Sequence, residues 1–163
     1  DIRIWNVELA PPPKEVLIKK NKDGEESLVP MKIKWHVIMN AEKKLYSYRI
    51  GIGKVLNPLQ RYTRSHVMES IDIDELRSVL KHYEGTHDFR AFAGAIEANE
   101  KKQGKAMTTV RTVYKVELID EGGNGNYRID FYLHGALYKM VRNMVGTALE
   151  VCKGRLPESK MLE

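Results

Sequence analysis

The chain has 163 residues, 42% of them hydrophobic, a formal net charge of +5 and a sequence pI near 9.2. That length allows one domain or slightly more, with enough apolar residues for a sizeable core. No run approaches the roughly 20 apolar residues that a membrane-spanning helix requires, and a single cysteine, Cys152, excludes a disulfide framework within the chain.

Residues 1–9 alternate Ile2 and Ile4 with polar neighbours and predict a short strand, which Pro11-Pro12-Pro13 ends. Residues 14–30 are charged, with Lys19-Lys20, Lys22-Asp23-Gly24 and Glu25-Glu26, and read as a surface loop or insertion. Two strand candidates, 31–39 and 45–52, are joined by Asn40-Ala41-Glu42-Lys43, the pattern of a hairpin. Residues 53–65 read as loop: Asn57-Pro58 is a turn signal, and Arg61 and Arg64 add charge. Ser70 or Asp72 can cap a helix running to about Tyr83, with Leu76, Val79, Leu80 and Tyr83 inward and Gly85 closing it. After His87-Asp88-Phe89-Arg90-Ala91-Phe92 comes a polar, Lys-rich loop through 100–105. Residues 110–119 and 127–133 alternate as strands around Glu121-Gly122-Gly123-Asn124-Gly125-Asn126, a turn rich in residues that tolerate positive φ. A long helix over 137–153 follows, and Gly154 terminates it. Strand pairs interrupted by helices predict an α+β fold, an antiparallel sheet with helices packed on one face. Asp1 leads directly into a strand-like run, and 159–163 resembles the start of another helix, so both ends are expected to be cuts in a longer protein.

In the last helix Leu137, Met140, Val141, Met144, Val145, Ala148, Leu149 and Cys152 recur at i, i+3, i+4 and i+7, which makes one face a core seam. Arg142 lies well round from that seam, between Tyr138 and Gly146, with open space that an anionic ligand could occupy. The alternative is a solvated arginine. In a strand, Lys44, Tyr46 and Tyr48 share one face while Leu45, Ser47 and Arg49 share the other. Two tyrosines beside a lysine form a stacking platform for a base, near a charge that can meet phosphate. The alternative is a half-buried sheet face with its hydroxyls in water. Five histidines, His36, His66, His82, His87 and His134, show no ligand spacing, so no metal site is expected within the chain. Gly51-Ile52-Gly53 precedes a loop rather than a helix, and neither a GxSxG elbow nor a Cys-His nucleophile pattern occurs. The excess of 27 basic over 22 acidic residues favours a polyanionic partner.

Four motifs in series carry a resemblance over nearly the whole chain. Lys44-x-Tyr46-x-Tyr48, Gly85-Thr86-His87-Asp88-Phe89-x-x-Phe92, Val110-Arg111-Thr112-Val113 and Leu137-Tyr138-Lys139-Met140-Val141-Arg142-Asn143-Met144-Val145-Gly146 together resemble the C-terminal half of a TruA-type tRNA pseudouridine synthase. Trp35-His36 is similar to an aromatic-His pair that precedes the tyrosine strand in that family. The resemblance implies an enzyme that converts uridine in tRNA to its C-glycosidic isomer without a cofactor. It implies two related halves flanking a basic cleft, commonly in a homodimer, and no membrane. The tyrosine matching Tyr46 then stacks on the target base and assists proton removal at C5, and the arginine matching Arg142 orients the catalytic aspartate by an ion pair. The RNA contacts expected on this reading are Lys44, Tyr48, Arg61 and Lys139.

The family's aspartate lies in an Arg-Thr-Asp-x-Gly-Val-His motif in the other half. This sequence lacks that motif: its one Arg-Thr pair, Arg111-Thr112, is followed by Val113. Ile38 stands where the family often has an arginine, and 14–30 and 103–109 look like insertions. Residues 1–163 are therefore expected to be a single C-terminal-type domain, inactive alone. Two other readings remain open: an RNA-binding module without chemistry, and a dimerisation domain built on the long helix.

Overall fold

The computed structural model describes residues 18–20, 26–28 and 41–162, apart from 54 and 56. Two compact units divide the chain, 1–42 and 43–163. In the first, β1 (Ile18–Lys20) and β2 (Glu26–Leu28) pair antiparallel with Ile18 opposite Leu28. The segment expected to be a surface loop or insertion thus contains a pair of antiparallel strands. The strands expected over 1–9 and 31–39, and Trp35-His36, lie outside the described residues.

The second unit is an α+β arrangement. Its sheet has the order β4-β3-β7-β6-β5, with β3 at Lys44–Ile52, β4 at Ser65–Val67, β5 at Gly85–Asp88, β6 at Val110–Asp120 and β7 at Asn126–Leu133. All neighbours are antiparallel except β3 and β4, which run parallel. The stretch 53–65 therefore crosses from one strand to the next through a 3-10 turn at Pro58–Gln60, whose start Asn57 caps by accepting the Leu59 N–H at 3.0 Å.

Period-two alternation places Ile129, Phe131 and Leu133 of the central strand on the buried face. Against them pack α1 (Ile73–Lys81) and α3 (Met140–Cys152), with Leu76, Val79 and Leu80 from the first and Met140, Met144, Val145, Ala148, Leu149 and Val151 from the second. Asp72 starts α1: one carboxylate oxygen accepts the N–H groups of Asp74 (2.8 Å) and Glu75 (3.2 Å), two donors the helix itself cannot satisfy. Tyr83 follows α1 and is fully buried; its hydroxyl donates to the Met144 carbonyl at 2.8 Å, and its ring meets Phe92 edge-on at 5.5 Å. Tyr83→Phe should remove that one hydrogen bond while keeping the ring, lowering stability by about 1 kcal/mol in urea titration.

Two helix boundaries differ from the sequence expectation. The last helix begins at Met140, not at 137, because Lys139 sits in the left-handed region (φ 61°). The apolar period runs on through Leu137, which is buried by the turn instead. The Lys-rich stretch expected to be loop is mostly the end of α2 (Ile96–Gln103), bounded by Ala95 (φ 56°) and Gly104 (φ 68°). Its Glu, Ala and Lys residues form helix readily, and Lys101 and Lys102 suit its C-terminal end, but only Ile96 is buried among its described side chains, so no periodic signal marks it.

The β6–β7 turn holds the end of β3. Gly125 (φ 71°) accepts the Ile52 N–H at 2.7 Å, and a Cβ on Gly125 would stand 2.3 Å from the Ile52 carbonyl oxygen. Only glycine fits there.

Candidate functional site

The first turn of α3 is fastened from two sides. The Gly94 N–H donates to the Tyr138 carbonyl at 2.8 Å, and a Cβ on Gly94 would approach the Tyr138 ring to 3.2 Å. Asn143 Nδ2 donates to the Phe92 carbonyl at 2.7 Å, tying the helix to the 3-10 turn Arg90–Phe92. The seam residues pin the helix to the sheet from below. What remains exposed on this fixed turn is Arg142.

Arg142 faces an open cavity of about 830 Å³ whose wall also includes Tyr48 from β3, Phe92, Asn143, Gly146, Arg155 and Lys160. No ion pair to Arg142 occurs among the described residues. Its position is electrostatically unfavourable for the helix. A cation in the third helical position opposes the macrodipole, and the first turn holds no acidic residue to offset it. An arginine side chain beside unpaired helix N–H groups is instead suited to an incoming anion.

The tyrosine strand behaves as its alternation demands. Lys44, Tyr46 and Tyr48 are half-buried on the helix-covered face, and Leu45, Ser47 and Arg49 are exposed on the other. Tyr46 stands opposite Phe131 and Tyr48 opposite Ile129, and both rings pack on the core cluster. Tyr48 reaches the Arg142 cavity; Tyr46 is not part of its wall. The other expected contacts lie elsewhere. Lys44 lines a second cavity with Arg111, Tyr114 and His134. Arg61 and Tyr62 are both exposed, with the guanidinium carbon 4.5 Å from the Tyr62 ring centroid. Lys139 stands 5.5 Å from the centroid of the Tyr138 ring. The structure therefore brings Tyr48 and Arg142 to one cavity, and Lys44, Arg61 and Lys139 are not part of its wall.

The opposite face of β3 carries an ionic network that single-residue reading does not reveal, since Arg49 and Glu121 are 72 positions apart in the chain and Arg64 and Glu121 are 57 apart. Glu121 accepts from Arg64 Nη2 (2.9 Å), Arg128 Nη1 (3.1 Å) and Arg49 Nε (3.3 Å). Arg64 also donates to the carbonyls of Ile50 and Tyr127, both at 3.1 Å. Asp130, buried beside this group, accepts from Ser47 Oγ at 2.6 Å and Arg128 Nε at 3.0 Å. The Ser47 bond lies between the two tyrosines and holds the pitch of the strand that presents them.

Burial alone would raise the Glu121 carboxyl, but Arg64 and Arg49 outweigh it and hold it below the usual carboxylate range. A lowered native value means the network contributes stability above the ordinary carboxylate value of about 4.3, and that contribution disappears as pH falls through the native value. In acid titrations followed by circular dichroism, Glu121→Gln should be less stable than the parent at pH 7 and should show a shallower loss below about pH 4.3. By contrast, burial pushes the Cys152 thiol up to about 11, so it stays protonated and plays the part of a small core side chain. No group of three metal-ligating side chains occurs among the described residues.

A family model described as tRNA pseudouridine synthase matches residues 79–163, which include Arg142 but not the tyrosine strand. The tRNA pseudouridine synthase A 1 of Protochlamydia amoebophila is 34% identical over 140 residues, covering 85% of this chain and 49% of that protein. The tRNA pseudouridine synthase A of Ligilactobacillus salivarius is 31% identical over 123 residues, 76% of this chain and 45% of its own length. That of Lacticaseibacillus casei is 34% identical over 121 residues, 74% and 46% respectively. The chain spans about half the length of these curated relatives.

Proposed function

The chain belongs to the tRNA pseudouridine synthase family, and from that membership we propose that it is the C-terminal-type half of an enzyme that isomerises uridine to pseudouridine in tRNA. The observation that carries the proposal is Arg142: a cation on an anchored helix start, with no ion-pair partner among the described residues, beside a cavity that a strand tyrosine also lines, where Glu150 is paired with Lys153 and Arg155 instead. Isomerisation breaks the N1–C1′ bond of the nucleotide, joins C5 to C1′, and removes the C5 proton, with N1 ending protonated. No redox agent or cofactor enters that balance. Arg142 is suited to orient an aspartate delivered by the other half of the protein. Tyr46, on the same strand face as Tyr48, is suited to stack on the base and help remove the C5 proton, with Tyr48 beside it against the cavity. The substrate we propose is tRNA, held by Lys44, Tyr48, Arg61 and Lys139, in a homodimer of the longer protein that sedimentation velocity can test.

The test is a pseudouridine assay on a tRNA transcript. The 163-residue chain should form none, because it lacks the Arg-Thr-Asp motif, while a longer form that includes the upstream half should form pseudouridine. That missing motif also favours a second reading, an RNA-binding module without chemistry. An upstream half without the aspartate, and no product from the longer form, would select it.

A further inference from the structure

The second cavity, about 520 Å³, lies at the end of the sheet where β3 starts at Lys44, β7 runs out into His134-Gly135, and β6 begins. Resting on the reading that this protein handles RNA, we propose that this cavity is a separate phosphate-binding site for the RNA strand, distinct from the Arg142 cavity and not part of the chemistry. The two cavities share no wall residue.

Three observations carry it. First, the wall offers Lys44, Arg111 and His134 together with the hydroxyls of Thr108, Thr112 and Tyr114, and no carboxylate. Second, Arg111 is held in place before any ligand arrives. Its Nη1 donates to the carbonyls of Thr108 (2.9 Å) and Val110 (2.7 Å), which fixes the plane of the guanidinium while its remaining N–H groups have no carboxylate partner among the described residues. A planar fork immobilised in this way loses little freedom when it meets a phosphate. Third, the β6–β7 register shifts between Val113 and Lys115, so Tyr114 leaves the ladder and stands 47% exposed, with Lys43 Nζ 5.6 Å from its ring centroid. The bulge thus places an aromatic face beside the cationic pocket, the pairing that suits a nucleotide better than a free anion.

The surrounding sequence agrees in sign. No Asp or Glu occurs from 43 to 68 or from 101 to 116, the two stretches that bring Lys43, Lys44, Arg111 and Tyr114 here. A solvated face with no ligand ordinarily mixes both signs.

The experiment measures binding of a tRNA transcript to the 163-residue chain by fluorescence anisotropy across a KCl series. Arg111→Gln should raise Kd about tenfold and reduce the slope of log K against log salt by about one. Tyr114→Glu, an exposed change that leaves the Arg111 backbone bonds in place, should also weaken binding and keeps the test valid if Arg111→Gln fails to fold. Unchanged affinity and slope in a folded variant, with the parent chain binding RNA, would overturn the phosphate site and leave the RNA reading standing. A parent chain without RNA affinity at low salt would overturn both. If the variants change the oligomeric state in sedimentation but not the RNA slope, the cavity seats a protein surface and the proposal is wrong.

Discussion

Replacing Arg142 by alanine in the longer form proposed above is expected to lower pseudouridine formation about 100-fold at saturating tRNA, the scale of losing the alignment of a reacting group. Folding should be untouched. The side chain is exposed, its helix is anchored by Asn143, Gly94 and the buried seam, and no ion pair among the described residues is broken. Removing a cation from the first turn relieves an unfavourable contact with the helix dipole, so thermal stability should stay level or rise by about 0.5 kcal/mol. Arg142→Lys keeps the charge but loses the planar fork and should fall between the two. Full turnover by a folded alanine variant would end the assignment of Arg142 as the group that orients the aspartate.

Phe131→Ala is expected to have the largest effect on stability, a loss of about 3–5 kcal/mol. Phe131 is completely buried on the central strand, flanked in register by Tyr46 on β3 and Val116 on β6. Truncation removes a ring from the middle of the layer that α1 and α3 cover, where no neighbour on a paired strand can move to fill the space. Typical domains hold only about 5–15 kcal/mol in all, so the variant should unfold at much lower urea. Leu45→Ala, on the same sheet but 53% exposed, is the control and should cost less than about 1 kcal/mol. Equal losses for the two would mean that the helices do not cover the face assigned to them.

Much of this is legible in the amino-acid sequence. The strands over 110–119 and 127–133 announce themselves by alternation, and α1 by its cap and spacing, because both patterns follow from burying one side of a regular element. The start of α3 was not legible, since Leu137 continues the apolar period and nothing in a lysine signals a positive φ. α2 was missed for the opposite reason: with one buried residue it leaves no periodic trace. For the site, Tyr46, Tyr48 and Arg142 stand out by type and position; Tyr48 and Arg142 line one cavity, and Tyr46 lies outside its wall. The grouping of Arg111, Tyr114 and His134 with Lys44 is not legible, because it is made by strand pairing and a bulge, and neither is written in any local pattern. The Glu121 network escaped for the same reason: a carboxylate in a glycine-rich turn reads as turn chemistry until the sheet folds three arginines onto it.

β3 also sets a rule of parity. Its tyrosines face the helices and its Ser47 and Arg49 face the ionic network only because each residue turns over relative to the last. One residue added between Lys44 and Ile52 would send every side chain beyond it to the wrong side, exchanging rings for charges at a single stroke. A change of length is expected to be tolerated where the chain travels between β3 and β4 and, within β3, only where a bulge like that at Tyr114 of β6 takes up the extra residue.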